Sequence, residues 1–280
     1  MDEKYMENEN NTEKIPKFIK YALSAYKRRG FVGGILSGEF GKGKTVTALK
    51  IAAKILQIKY GYTFEQALEK VIDEHLIFTK DEFIDLTTKI YGQYNWEEME
   101  ETQLLKVKYE LRKVVLVWDD VGIHAGSKKE RFDPSDSWEI QTEYDTIRDI
   151  TSCMLLTVPE EDQIMKSLRK YRSNYFIELG YPAEGGNYND RVMQFYKYQR
   201  DKKTGNMKRR LKFSTNKTHS VHLPDWAYGK YDKKRTLAKL KHNERLQRKK
   251  EERELEKQYK IYKKKILLSK WKKELAEVEA

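Results

Sequence analysis

Residues 38–45 read Gly38-Glu39-Phe40-Gly41-Lys42-Gly43-Lys44-Thr45, a full match to the pattern G-x-x-x-x-G-K-[ST]. A loop whose backbone N–H groups all turn inward onto phosphate oxygens needs conformations that side chains forbid. Gly38, Gly41 and Gly43 supply them. A helix beginning near Gly43 would aim the positive end of its dipole at the same phosphates. Lys44 would then reach the β- and γ-phosphates of ATP, and Thr45 would place its hydroxyl on Mg²⁺. The candidate nucleotide site is therefore Gly38, Glu39, Phe40, Gly41, Lys42, Gly43, Lys44, Thr45 and Val46. At an average glycine usage of about 7%, a chance match arises in roughly one chain of this length in a hundred.

Hydrolysis needs a second half, an acid at the end of another buried strand, and "KVVLVWDD" (113–120) supplies it. Asp119 is placed to hold Mg²⁺ through water and Asp120 to polarise the attacking water. The plainer reading is that both aspartates only terminate a strand. Many ATPases that carry this loop pattern have Glu where Asp120 stands. Thr157, at the end of "SCMLLTVP", either senses the γ-phosphate or simply leaves its strand beside Pro159. Arg169 and Arg172 in "KSLRKYRSNY" either act as arginine fingers on a neighbouring subunit's nucleotide or face solvent. His124 reads as a loop histidine rather than a catalytic one.

The elements around these residues alternate between strand and helix. "FVGGILSG" reads as an apolar strand leading into the loop, and Val46 to Leu56 as a mostly buried helix after it. A helix over Thr63–Asp73, with Thr63 and Gln66 as a capping box, precedes a strand at "HLIFT" (75–79). Helices follow at Lys80–Tyr91 and Trp96–Leu111, then the aspartate strand, which is continuously apolar as a strand buried on both faces should be. Beyond it come a helix over Trp138–Asp149, a strand at 152–159, a helix over Glu160–Tyr171 and a strand at 174–180. The fold class is α/β, with a mainly parallel five-stranded sheet flanked by helices. The strand at "HLIFT" lies between the loop strand and the aspartate strand in the chain. That spacing allows a strand to be inserted between them in the sheet, as in motor and AAA+-type ATPases rather than small-molecule kinases.

Charge divides the chain. Of 280 residues, 56 are Lys or Arg and 44 are Asp or Glu, a net of +12. Residues 1–190 balance at −6, residues 191–217 at +9 and residues 230–280 at +10. A mildly acidic body with two basic attachments points to a polyanionic partner. "VMQFYKYQR" and "MKRRLKFST", separated by "DKKTGN", read as a β-hairpin. Lys202, Lys203, Lys208, Arg209 and Arg210 crowd its turn and suit nucleic-acid phosphates. Phe195, Tyr196, Tyr198 and Phe213 either stack on unpaired bases or pack on the body. From about Lys233 to Ala280 the sequence holds neither Pro nor Gly and predicts one or two long helices, solvated, phosphate-binding or partner-binding. The single cysteine, Cys153, reads as a small core residue. The acidic, polar start is no signal peptide, and no apolar run is long enough to span a bilayer. Together these predict a soluble, cytoplasmic protein with no membrane partner.

"GEFGKGKT", "VLVWDD" followed by Val-Gly, "LLTVP" and "SLRKYR" resemble the P-loop ATPases of archaeal viruses and plasmids, including the DnaA/AAA+-type, replication-initiator-like ATPases of spindle-shaped viruses. The resemblance covers roughly residues 18–180, and its two Walker motifs are the specific part. It implies a P-loop NTPase fold and a nucleotide-driven DNA transaction, commonly in ATP-dependent homo-oligomers, in the cytoplasm of the cell or of a viral host. The chain departs from bacterial initiators in having no recognisable helix-turn-helix domain at its C-terminus. The expected organisation is a polar segment (1–17), an ATPase core (18–190), a basic hairpin region (191–229) and a basic helical tail (230–280). Three functions are in view: an ATPase acting on DNA in replication initiation, helicase loading, packaging or partitioning; a nucleotide-switched binding protein with slow hydrolysis; and a small-molecule kinase, which the strand spacing disfavours.

Overall fold

Continuous apolar runs form the middle of one sheet. In the computed structural model, β1 (Val32–Ser37) and β4 (Cys153–Val158) are buried along their whole length, as parallel strands covered on both faces must be. The structure describes residues 16–39, 41–92, 98–121, 142, 147–160, 163–164, 174–182, 189–200, 207–215 and 219–278. The strand order is β2 (Leu76–Ile77), β3 (Leu116–Trp118), β4, β1, β5 (Asn174–Gly180), β6 (Asp190–Arg200), β7 (Met207–Ser214). β2, β3, β4, β1 and β5 run parallel. β6 and β7 add to the β5 side in antiparallel fashion, and the short β8 (His219–Ser220) pairs with β6. The strand inserted between β1 and β3 is thus β4, while β2 lies outside β3.

Helices cover both faces. Gly34 at the centre of β1 faces Phe18 of α1 (Lys17–Lys27), together with Leu155 and Ile177. α2 (Lys44–Tyr60) buries Leu49, Ala52, Ala53 and Leu56. The opposite core joins Ile35, Leu116, Trp118, Met154, Leu156 and Phe176 to Phe83 and Ile90 of α4 (Lys80–Tyr91) and to Ile147 and Ile150 of a short helix, Ile147–Ile150. Trp118 lies 5.2 Å from the Phe83 ring and donates its indole N–H to the Phe78 carbonyl. Cys153 is fully buried, and burial pushes its thiol pKa up.

Boundaries move where side chains claim backbone groups. The Thr63–Gln66 capping box forms, but the helix it starts, α3 (Phe64–Lys70), is short, and a π-helical turn, Val71–His75, follows it. The strand expected at 75–79 shrinks to Leu76–Ile77. At one side of it His75 turns inward, Nδ1 at 2.7 Å from the Val115 carbonyl. At the other, the Phe78 and Thr79 N–H groups are taken by Glu82 in the capping box of α4. The polar helix α5 is described over Glu101–Leu111. The helix expected over Trp138–Asp149 is described only at Thr142 and from Ile147, and the one over Glu160–Tyr171 falls almost wholly outside the described residues.

The last helix, Asp225–Val278, starts two turns earlier than the composition suggests and runs through Gly229. Pro224 caps it, its carbonyl accepting the Ala227 and Tyr228 N–H groups. Ala227 and Tyr231, one turn apart, are buried and outweigh the cost of a helical glycine, about 1 kcal/mol. The chain forms two units, Met1–Tyr231 and Asp232–Ala280. No helix among the described residues is long and apolar enough to cross a membrane.

His75 yields a pH dependence. Burial, reinforced by Lys113, pushes its pKa down to about 4 from 6.5, so the folded protein holds it neutral with Nδ1–H donating to Val115. Between pH 6.5 and 4 the unfolded chain binds a proton that the folded chain does not. Stability is complete above pH 6.5 and falls as pH drops through this window, by about 1.4 kcal/mol per pH unit at most. Urea unfolding at pH 7, 5.5 and 4.5 should show a shallower loss in His75→Gln than in the wild type.

Candidate active site at the ends of β1, β3 and β4

Strand register assembles the site. Leu36 of β1 pairs with Thr157 of β4, and Trp118 of β3 pairs with Leu156. Residue 119 therefore emerges level with Thr157, and the loop after β1 emerges beside both. The loop turns through left-handed backbone at Gly41 (φ 81°) and Gly43 (φ 80°), the latter serving as the N-cap of α2. Only glycine adopts such angles without strain. Val46 lies half-buried in the first turn of α2. Glu39 and Lys42 face each other across the loop at 3.5 Å.

Lys44 is buried and donates from Nζ to the carbonyls of Gly38 (2.6 Å) and Glu39 (2.9 Å). Burial lowers its pKa, opposed by the charges of Asp120 and Asp119. The Lys44 ammonium and both aspartates thus share one electrostatic neighbourhood. Thr45 Oγ1 donates to Asp119 Oδ1 at 2.6 Å, joining loop and strand end across 74 residues of chain. Asp119 is 1% exposed. Its Oδ1 also accepts from the Thr157 hydroxyl, and its Oδ2 from the Tyr231 hydroxyl at 2.7 Å. Asp120 sits at φ 52°, left-handed for a non-glycine residue, and donates its N–H to Thr157 Oγ1 at 2.9 Å. Thr157 therefore braces the two aspartates against each other. Thr45 and Asp119 offer an oxygen-only donor set, which fits a hard cation such as Mg²⁺.

A strap after β7 closes over this loop, and nothing in the motifs announced it. Val221 packs so tightly on Gly43 that a Cβ there would meet its side chain at 2.5 Å. Thr47 Oγ1 and His219 Nε2 share a hydrogen bond of 2.9 Å, and Lys50 donates to the Ser220 carbonyl. Burial, with Lys50 beside it, pushes the His219 pKa down to about 4. Arg191, read from composition as part of the basic hairpin, is 2% exposed and donates from Nε to the Lys42 carbonyl. Tyr231 was also missed. Its signal was present as the spacing of Ala227 and Tyr231, an apolar pair at i, i+4 in a charged helix.

The hairpin sorts its residues by face. Phe195 is buried between Phe18 and Phe213, and Tyr198 meets Phe176 edge-on. The aromatics therefore pack on the body. Arg209 turns to the sheet, paired with Glu178 at 2.6 Å and over the Tyr196 ring. Lys208 and Arg210 are exposed on the other face, opposite Gln199 and Lys197. Phe40, His124, Arg169, Arg172, Lys202 and Lys203 lie outside the described residues.

No known protein-family model matches the chain. It is 25% identical over 218 residues to "Uncharacterized protein B-251" of Sulfolobus spindle-shape virus 1, covering 77% of this chain and 78% of that one. Among solved structures it is similar to the N-terminal domain of zonular occludens toxin from Neisseria meningitidis (11% identity, TM-score 0.31, 66% of this chain and 95% of that one). It is also similar to the flagellar accessory protein FlaH from Methanocaldococcus jannaschii (14% identity, TM-score 0.33, 72% and 97%). A third is the KaiC-like protein PH0186 from Pyrococcus horikoshii (15% identity, TM-score 0.27, 65% and 86%). These likenesses are faint, and the site stands on the chain's own geometry.

Thr157→Val keeps the shape but removes a hydroxyl that serves both aspartates. It should lower the unfolding free energy by about 2 kcal/mol. Thr157→Ser should recover most of the loss, as measured by urea unfolding at pH 7.

Proposed function

We propose that the chain is an ATP-hydrolysing P-loop ATPase acting on DNA, of the AAA+/DnaA-like type of archaeal viruses and plasmids. The observation that carries this reading is the Thr45–Asp119 hydrogen bond of 2.6 Å. It joins the glycine-rich loop to the acid of a strand that is not its neighbour, which suits an ATPase better than a small-molecule kinase. Gly38 to Val46 would cradle the phosphates, and Lys44 would swing from its loop carbonyls to the β- and γ-phosphates. Thr45 and Asp119 would hold Mg²⁺, which when bound neutralises phosphate charge. Asp120 would accept the proton of the attacking water, its backbone fixed by Thr157. Arg169 and Arg172 are the candidates for completing a neighbour's site in a homo-oligomer.

DNA is the proposed load, and replication initiation, packaging or partitioning the proposed setting, in the cytoplasm of a viral host. The similarity to a spindle-shaped virus protein supports that setting. Exposed Lys208 and Arg210, with Lys202 and Lys203 at the turn, form the proposed phosphate contacts. Like charges already crowd there: burial lowers the Lys197 pKa, and Lys212 lowers it further. A polyanion would relieve that repulsion. The second reading, a nucleotide-switched binding protein, gains support from the strap over the loop, which ties the nucleotide site to the start of the last helix.

ATP turnover measured with and without DNA separates the two. Strong stimulation by DNA is expected; nucleotide binding with negligible turnover favours the switch. Lys44→Ala should weaken ATP binding by about tenfold or more. Asp120→Asn should bind ATP normally and hydrolyse it at least about 100-fold more slowly; hydrolysis at the wild-type rate would show that Asp120 is not the base. Replacing Lys208 and Arg210 by Ala should flatten the salt dependence of DNA binding by about two in log–log slope, and an unchanged slope removes the hairpin from the interface.

A further inference from the structure

A carboxylate offers about four lone-pair sites. Among the described residues, three hydroxyls reach Asp119: Thr45 and Thr157 at Oδ1, Tyr231 at Oδ2. Oδ1 is filled, so the acceptor capacity that remains for a metal-bound water lies on Oδ2, the oxygen held by Tyr231. We propose that Tyr231 is a positioning residue for the metal carboxylate, and that through it the first turns of the C-terminal helix are coupled to occupancy of the metal site. The inference rests on the nucleotide reading above and deepens it.

Tyr231 is built for the task. It is 6% exposed, with its ring centroid 5.8 Å from that of Phe78 and 6.4 Å from that of Tyr228. Phe78 follows β2, and its carbonyl accepts the Trp118 indole N–H, so the ring rests on the strand pair that carries Asp119. Its neighbour Lys230 ties the same turn to Glu69 and Asp73 of the α3 region at 2.8 and 2.7 Å. Upstream, Val221 and His219 fix the strap to Gly43 and Thr47. The hydroxyl thus arrives at Asp119 on a support anchored at both ends. A hydrogen bond from a fixed donor restricts the carboxylate to the rotamer that faces Thr45. Partners of this kind tune metal affinity without touching the metal. Coupling is reciprocal: if the hydroxyl favours metal binding, bound metal must tighten the helix that carries the hydroxyl.

Tyr231→Phe in the full chain removes the hydroxyl and keeps the ring. ADP affinity is titrated in EDTA and in saturating Mg²⁺, and the ratio reports metal binding without turnover. The ratio should fall about tenfold in the variant, while affinity in EDTA stays at the wild-type value; a structural role alone would lower the melting temperature and leave the ratio intact. Hydrogen exchange of the wild type gives a second readout that needs no variant. Peptides spanning residues 223–235 should exchange more slowly with Mg²⁺ and ADP than with ADP in EDTA, and Tyr231→Phe should abolish that difference. A ratio within twofold of the wild type, or exchange unaffected by Mg²⁺ in the wild type, overturns the proposal. Magnesium-dependent ADP binding that survives the substitution leaves the ATPase reading standing and removes only Tyr231. Failure of the wild type to bind ADP at all overturns both.

Discussion

A carboxylate with almost no exposure must be satisfied where it stands, because an unpaired buried charge costs several kcal/mol. Asp119 meets that demand with hydroxyls from three elements: the start of α2, the end of β4 and the second turn of the last helix. None of the three is near the others in the chain. The order of β1, β4 and β3, the register between them and the return of the chain after the hairpin bring the three together. Thr157 carries the most. Its single oxygen donates to Asp119 and accepts from the Asp120 backbone, which holds a left-handed aspartate that would otherwise relax.

The glycine loop shows the same economy on its outer side. Gly43 needs its missing Cβ twice, for its backbone angle and for the approach of Val221. The phosphate contact proposed for the motif would account for the first need, and the strap adds the second through packing. Buried Arg191, donating to the Lys42 carbonyl, lets the start of β6 support the loop from beneath. The hairpin strands are thus continuous with the site rather than appended to it, since β6 hydrogen-bonds to β5 and carries both Arg191 and the pairing partner of β8.

How much of this was legible in sequence follows from whether the cause was local. The loop glycines, the acid after an apolar run and the bounds of α4 follow from neighbours within a few residues. So does the Thr63–Gln66 box, which forms as spaced. The short β2 and the π turn were hidden, because they depend on His75 finding a carbonyl 40 residues away. The early start of the last helix was hidden for the same reason. Gly229 argues against helix locally, and only the burial of Ala227 and Tyr231 overrides it. Tyr231 itself has no motif: its spacing from Ala227 marks a buried pair, and its role shows only when its hydroxyl is seen at Asp119.

Charge in the hairpin was legible as a sum but not as a distribution. Alternation along β6 and β7 sends residues to opposite faces, and the bulge between Phe195 and Tyr196 shifts that alternation once. Tyr198 and Arg209 turn to the face that carries Phe176, while on the other face Phe195 packs on Phe18 and, farther along, Lys208 and Arg210 stand exposed. Among the described cations of the hairpin, Arg209 pairs with Glu178, so part of the +9 counted over residues 191–217 is balanced within the protein. Arg191 places another of these cations beneath the loop, on the Lys42 carbonyl. With its described aromatic rings packed on the body, this surface offers charge rather than stacking platforms, which would suit the phosphates of the proposed DNA partner more than its bases. If DNA binds here as proposed, the hairpin would hold its backbone, and discrimination among sequences would have to come from another part of the chain or from the shape of the DNA.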